Sequence, residues 1–365
     1  MSAAALQARR ERAQQAARAK GVDALLVTPG ADLRYLTGYD APPLERLTCL
    51  VLPADGDPVL VVPALEEPAA RAGPAADLPL RAWQETDDPV ALTVSLLGNP
   101  GRVAVADQMW AEKVLALQAA LPRARFVPGG LLLTPLRACK DAAEVEALSE
   151  AAAAIDEVHA QMGRWLRVGR TERDVAVDIE RGILATGHER VDFVIVAGGP
   201  NGASPHHAVS DRVLRPADTV VVDIGGQMPT GYRSDSTRTY ALGRPDPQAA
   251  EEYTVLQAAQ QAAVAAVRPG LPAEQVDAAA RDVIAAAGFG DLFVHRTGHG
   301  IGVETHEHPY LVAGNAEPLV PGMVFSVEPG IYRPGRHGAR IEDIVVVTET
   351  GVAALNHRPR DLVEL

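Results

Sequence analysis

The sequence predicts two successive domains, an α/β domain over residues 1–133 and an α+β domain over residues 134–365. Three observations predict this. Short apolar strands alternate with helical segments through the first third. The remainder twice shows two helices followed by strands. Every cluster of acidic and imidazole side chains suited to chemistry falls in that remainder, between residues 206 and 342.

Residues 3–20 carry Arg9, Arg10, Glu11, Arg12 and Arg18 among alanines, without the apolar run of a signal peptide, and read as an amphipathic surface helix. Residues 24–28 form an apolar strand and 31–36 a short helix. Residues 47–52 and 58–63 read as two strands joined by a turn at Asp55-Gly56-Asp57. A strand at 102–106 and a helix at 111–121 follow. Glu66, Glu67 and Glu85 read as solvated surface, Asp107 as a helix cap, and residues 129–137 as a linker before a new start.

In the second domain Asp141 and Glu144 have capping-box spacing. Val145, Leu148, Ala152, Ile155, Val158 and Met162 then recur at helical period. Thr171 and Asp174 open a second helix that stops near Gly187, and strands follow at 191–196, 219–224 and 237–242. The order returns with helices at 247–267 and 273–287 and strands at 323–328 and 340–348. An offset of about a hundred residues between the two sets suggests two related halves around one site.

The formal net charge is −13, which argues against a nucleic-acid partner, whose binding needs clustered cations. No apolar run reaches the roughly 18 residues of a membrane span. The two cysteines, Cys49 and Cys139, read as reduced thiols, and the protein is expected in the cytoplasm.

Five stretches concentrate the chemistry. Val220-Val221-Val222-Asp223 ends an apolar strand in a carboxylate, and a return strand carries Asp235, Thr237 and Thr239 on one face. Such a hairpin can bring Asp223 and Asp235 together, and two close carboxylates repel unless a cation lies between them. Either aspartate alone would pass as a turn or strand-end residue. His299 stands between Gly298 and Gly300, its imidazole unobstructed. Glu328 closes an apolar strand with no lysine near it, and Glu342 lies in another. Four carboxylates and one imidazole suit Mn²⁺, with Co²⁺, Fe²⁺ or Zn²⁺ as further occupants.

Spelled VDIGGQ, GYRSDSTRTY, GHGIG, VEPGIY and RIEDIV, these stretches resemble the metal motifs of the prolidase, aminopeptidase P and methionine aminopeptidase group. The resemblance implies a C-terminal pita-bread catalytic domain behind an N-terminal creatinase-like α/β domain, and a homodimer. It implies two divalent ions per subunit: Asp223 on one, His299 and Glu328 on the other, Asp235 and Glu342 bridging, with Glu328 also carrying the proton. It places His206 and His306 on the substrate carbonyl and the tetrahedral intermediate, His206 being preferred over its neighbour His207. It gives Arg340 to a ligand carboxylate. His295, His308 and His337 receive no role. The implied reaction is hydrolysis of the bond before a proline at position two of a small peptide.

Two alternatives stay open. In some prolidases an Arg four residues after the position of His306 resembles an anchor for the substrate carboxylate, and here that position is Tyr310. Either the chain is an aminopeptidase P acting on longer peptides, or another cation does the work. The candidate is Arg46, in a loop stiffened by Pro42 and Pro43, whose plainer reading is a surface Arg paired with Glu45. A non-catalytic peptide-binding protein on the same fold is the rival from another class, and the intact ligand set argues against it.

Overall fold

The computed structural model describes residues 2–365 and divides into two compact units, the first ending at Arg137 and the second spanning Ala138–Leu365. The first unit contains α1 (Ala3–Ala19), β1 (Ala24–Val27), α2 (Ala31–Thr37), β2 (Cys49–Pro53), β3 (Val59–Pro63), α3 (Glu67–Ala72), β4 (Leu80–Trp83), α4 (Pro89–Ser95), β5 (Arg102–Val105), α5 (Ala111–Ala120), β6 (Arg125–Pro128) and, but for its last residue, α6 (Gly130–Ala138). Its strands form one sheet in the order β4-β3-β2-β1-β5-β6. The β1/β2 and β2/β3 pairs are antiparallel and the remaining pairs parallel. Leu26, Val51, Val61, Val103 and Leu117 close its core.

Three expectations change here. The presumed linker at 129–137 is largely α6, a helix with Pro135 inside it. Asp107 does not cap the helix that follows it: its Oδ1 accepts from Gly130 N, at the start of α6, at 2.9 Å. Helix α1 is not purely a surface helix, because Arg9 and Arg10 are buried. Their guanidinium groups donate to the carbonyls of Tyr35 and Leu36 near the end of α2, where orphan carbonyls need donors, and Arg10 also pairs with Asp77 at 2.8 Å.

The second unit begins with α7 (Ala142–His159), α8 (Met162–Trp165) and α9 (Glu172–Ala185), then β7 (Arg190–Gly198), β8 (Thr219–Gln227) and β9 (Arg233–Ala241). The expected capping box of Asp141 with Glu144 forms, and Thr171 with Asp174 makes a second one at the start of α9. Each N-cap contributes about 1 kcal/mol to its helix. Then come α10 (Pro247–Ala266), α11 (Ala273–Ala286), β10 (Gly298–Gly300), β11 (Glu307–Leu311), β12 (Val324–Val327), β13 (Gly330–Arg333), β14 (His337–Arg340), β15 (Asp343–Val347), β16 (Val352–Ala354) and β17 (Val363–Glu364). The expected single strand at 340–348 is therefore broken between β14 and β15.

The duplication read from the sequence is present in space. Ile155, Val158, Val175 and Ile179 of the first helix set pack on Val196, Val220, Val222 and Ile224 of the sheet β17-β9-β8-β7. Leu256, Ala259, Val276 and Ala280 of the second set pack on Phe325, Val327 and Val345 of the sheet β11-β10-β12-β15-β16. Arg238 fastens the halves together. From β9 it donates to Glu342 O at 2.6 Å and to Asp343 Oδ1 at 2.7 Å, while Gln260 of α10 and Arg360 take the other Asp343 oxygen. A buried pair satisfied on all sides fixes geometry, and removing one partner would strand a charge. No helix among the described residues is long and apolar enough to cross a membrane.

Candidate active site

Strand β8 is buried along its whole length, and its pairing with β9 sets the first two carboxylates. Asp223 lies opposite Thr237 and Asp235 opposite Gly225, so the two aspartates are diagonal neighbours on one face rather than a directly opposed pair. The backbone of 340–342 runs along β9. Glu342 N donates to Thr237 O at 3.1 Å, Arg340 N to Thr239 Oγ1 at 3.1 Å, and Thr237 Oγ1 to Glu342 Oε2 at 2.8 Å. Glu342 thus sits in the gap between β14 and β15, aimed at the β9 carboxylate.

His299 is the middle residue of β10, squeezed between β11 and β12. A Cβ on Gly298 would run into Ser326 O, and one on Gly300 into His308 O, so only glycine lets the strands close on the imidazole. His299 Nδ1 lies 3.1 Å from Gly300 O, a bond that needs the Nδ1–H tautomer. That leaves the Nε2 lone pair facing Glu328 Oε1 at 3.2 Å and Asp235 Oδ2 at 3.7 Å. Acceptors converge there with no donor between them.

Electrostatics make the same point. Burial, reinforced by Glu342, Asp223 and Glu328, holds the Asp235 carboxyl well above its ordinary range. Burial with Glu328 and Asp223 does the same to Glu342. Burial raises the Glu328 carboxyl as well, but the positive surroundings, Arg340 among them, carry it below its ordinary range. One oxygen of Asp223 is taken by Arg340 Nη2 at 2.5 Å, while Oδ1 is buried without a hydrogen-bond partner. One donor atom each from Asp235, His299 and Glu342 lie within 4.8 Å of one another. Divalent cations fit: they would take the idle Asp223 oxygen and the His299 lone pair and remove the repulsion.

These residues form the floor of a cavity of about 730 Å³, with His206, Pro205, His306, Thr305, His295, Arg296, Asp192, Phe193 and Ile195 on its walls. The His306 and His299 ring centroids are 4.1 Å apart at an interplanar angle of 85°. Burial of one side of His306, with His299 and Arg296 beside it, pushes its pKa down to about 4, so it is neutral at neutral pH and keeps one N–H to donate. His207 turns away from the cavity, its Nε2 2.8 Å from Glu172. Tyr310 stands opposite His299 in the β10/β11 register but forms no part of the cavity wall. The Arg296 guanidinium lies 4.3 Å from its ring centroid and occupies that stretch of wall instead. Arg46 belongs to the first unit, where it pairs with Glu45 at 2.6 Å and Glu85 at 2.7 Å.

Sequence reasoning missed several of these groups. His295 Nε2 is 2.8 Å from Tyr332 OH, which accepts from Arg340 Nη1 at 2.7 Å, so the His295 wall is tied to Asp223. Asp192 and Phe193 are adjacent yet both face the cavity because the β7/β8 register shifts between Val191 and Phe193. No residue pattern announced that bulge.

A carboxylate-rich centre with idle acceptors, set between two helix-backed half-sheets, defines a metal-dependent hydrolase. Comparison with known proteins narrows the class. The profile of metallopeptidase family M24 matches residues 146–349, and that of the creatinase/prolidase N-terminal domain matches 9–139. The chain belongs to metallopeptidase family M24. It is 55% identical over 346 residues to a probable dipeptidase PepE of Mycobacterium bovis, covering 94% of this chain and 92% of that protein. It is 36% identical to an Xaa-Pro dipeptidase of Lactobacillus helveticus, covering 90% and 91%. The crystal structure of dipeptidase PepE from Mycobacterium ulcerans superposes with a TM-score of 0.95 at 54% identity, covering 100% of this chain and 98% of that one.

Proposed function

We propose that the chain is an Xaa-Pro dipeptidase: it hydrolyses the bond between a first residue and a proline at position two, with dipeptides as preferred substrates. The carrying observation is the convergence of Asp223, Asp235, His299, Glu328 and Glu342 on one cavity floor, with an unpartnered Asp223 oxygen and an unmatched His299 lone pair. The dipeptidase and Xaa-Pro dipeptidase relatives support the substrate.

Asp223 would hold one ion, His299 and Glu328 the second, and Asp235 and Glu342 both; the oxygen-rich set favours Mn²⁺, with Co²⁺, Fe²⁺ or Zn²⁺ possible occupants. Bound divalent ions supply charge neutralisation, a lowered pKa for water and polarisation of the scissile carbonyl. The chain's own groups do the rest. Glu328 Oε1 accepts from Ser326 Oγ at 3.1 Å and faces the His299 lone pair, so Oε2 is the atom that takes the proton of the attacking water and passes it to the proline nitrogen. His306, neutral at working pH, donates to the developing oxyanion, and His206 holds the substrate carbonyl. Arg340 fixes the rotamer of Asp223. Arg46 is the proposed anchor for the dipeptide carboxylate. The same reading takes the enzyme to be a cytoplasmic homodimer; its two thiols, Cys49 and Cys139, are free.

One observation favours a second reading, an aminopeptidase P: the position where some prolidases carry an anchoring Arg is Tyr310. The test is an assay of metal-stripped protein, reloaded with each ion, on Ala-Pro and Ala-Pro-Ala. The proposal expects no activity without metal, the best recovery with Mn²⁺, and faster turnover of the dipeptide. Full activity in stripped protein would overturn the mechanism, and preference for the tripeptide would overturn the dipeptidase assignment.

A further inference from the structure

Glu172 is the first residue of α9 and is fully buried. A buried carboxylate is costly unless hydrogen-bonded, and this one accepts five bonds. They come from Gly198 N at 2.9 Å, Asn201 Nδ2 at 2.9 Å, His207 Nε2 at 2.8 Å, Ser210 N at 3.2 Å and Ser210 Oγ at 2.6 Å. Burial pushes its pKa up, but the bonds from Ser210, Gly198, Asn201 and His207 outweigh that and keep it below the ordinary range.

All the donors belong to one segment, residues 198–210, which leaves β7 and carries Pro205 and His206 to the cavity wall. After a short 3-10 turn at Gly199–Ala203 this segment has no regular structure of its own. Its position is set from two sides. Glu172 gathers both ends. On the far side Gly202 is wedged between β14 and β7, where an added Cβ would meet Gly338 N at 3.1 Å and Ala197 O at 3.2 Å. Arg340 Nη2 also donates to Pro205 O at 3.3 Å.

We infer that Glu172 is the positioning residue for His206. It holds the 198–210 segment so that the imidazole meets the substrate, and His207 serves as one of the donors that tie the segment down. The inference rests on the reading of His206 as a substrate contact.

The test is a double-mutant cycle on Ala-Pro hydrolysis in the Mn²⁺-loaded enzyme, with Glu172→Gln, His206→Ala and the pair. Gln keeps the volume but turns an N–H₂ toward groups that are themselves donors. Misplacement of a substrate-contacting group lowers kcat/KM by roughly tenfold or more, so Glu172→Gln should show that loss at unchanged metal content. It should show almost none in the His206→Ala background, and Glu172→Asp, which keeps the charge, should recover part of the activity. Losses that multiply in the double variant, or full activity of Glu172→Gln, would overturn the positioning role. If Glu172→Gln does not fold, Asn201→Ala with Ser210→Ala removes two side-chain donors while leaving the carboxylate, and the same cycle decides the matter. An active-as-wild-type His206→Ala enzyme would strike at the reading of His206 itself and take the positioning role with it.

Discussion

Arg340 Nη2 donates to Asp223 Oδ2 at 2.5 Å, while Oδ1 of the same carboxylate is buried and unpartnered. The arginine thereby divides the two oxygens: one is fixed, the other is left for a cation. The same guanidinium donates from Nη1 to Tyr332 OH at 2.7 Å and from Nε to Thr237 Oγ1 at 3.2 Å. Thr237 Oγ1 in turn donates to Glu342 Oε2, so one side chain orients two of the carboxylates proposed as metal ligands.

Arg340→Lys should therefore fail although it keeps the charge. A lysine reaches one acceptor with a point charge and cannot hold Asp223, Tyr332 and Thr237 at fixed angles. Metal affinity or kcat should drop by roughly 10- to 100-fold, as for other groups that orient ligands. Isothermal titration with Mn²⁺ and steady-state kinetics would read this, and wild-type values in both would refute the role given to Arg340.

Glu342→Gln should have opposite effects with and without metal. In the metal-free protein burial and the neighbouring carboxylates hold the Glu342 pKa well above 4.5. The folded state then binds more protons than the unfolded one from about pH 4.5 upward, so the ionised group opposes folding as pH rises. At pH 7.5 the metal-free variant should melt at a higher temperature than the metal-free wild type, and the gap should close as pH falls toward 4.5. With Mn²⁺ present the order should reverse, because the variant loses a ligand to both ions. Differential scanning calorimetry across pH checks it; a metal-free variant less stable than wild type at pH 7.5 contradicts the repulsion.

What the sequence made legible was local. The β8–β9 hairpin, the glycine-flanked His299 and the Asp141–Glu144 capping box depend on neighbours a few residues away, so short patterns announce them. What it hid depends on partners distant in sequence. Arg238 reads as one more polar strand residue until β15 brings Asp343 to it. Glu172 reads as an ordinary first-turn acid until the 198–210 segment folds over it. Arg9 and Arg10 read as solvated because nothing in residues 3–20 reveals that the end of α2 will offer them carbonyls. The diagonal placement of Asp223 and Asp235 depends on hairpin register, which alternation alone leaves open by two residues.

The last prediction concerns substrate length. A dipeptidase must recognise a carboxylate directly after proline, and an aminopeptidase P must leave that side open. Tyr310 cannot supply the charge. The proposed anchor, Arg46, has Nε and Nη1 donating to Glu85 and Glu45, both exposed carboxylates. Exposed pairs of this kind contribute little to stability, so Arg46→Ser should leave the folded state intact and act on substrate alone. A guanidinium meets a carboxylate with two parallel N–H donors, and a serine hydroxyl provides neither the charge nor the fork. For Ala-Pro, kcat/KM should fall by roughly ten- to a hundredfold, the scale of a lost charge-assisted bond. For Ala-Pro-Ala, whose carboxylate lies one residue further on, the value should hold or rise. Equal losses on both peptides would indicate a general effect of the loop rather than an anchor. No loss on either would remove Arg46 from the site and favour the aminopeptidase P reading.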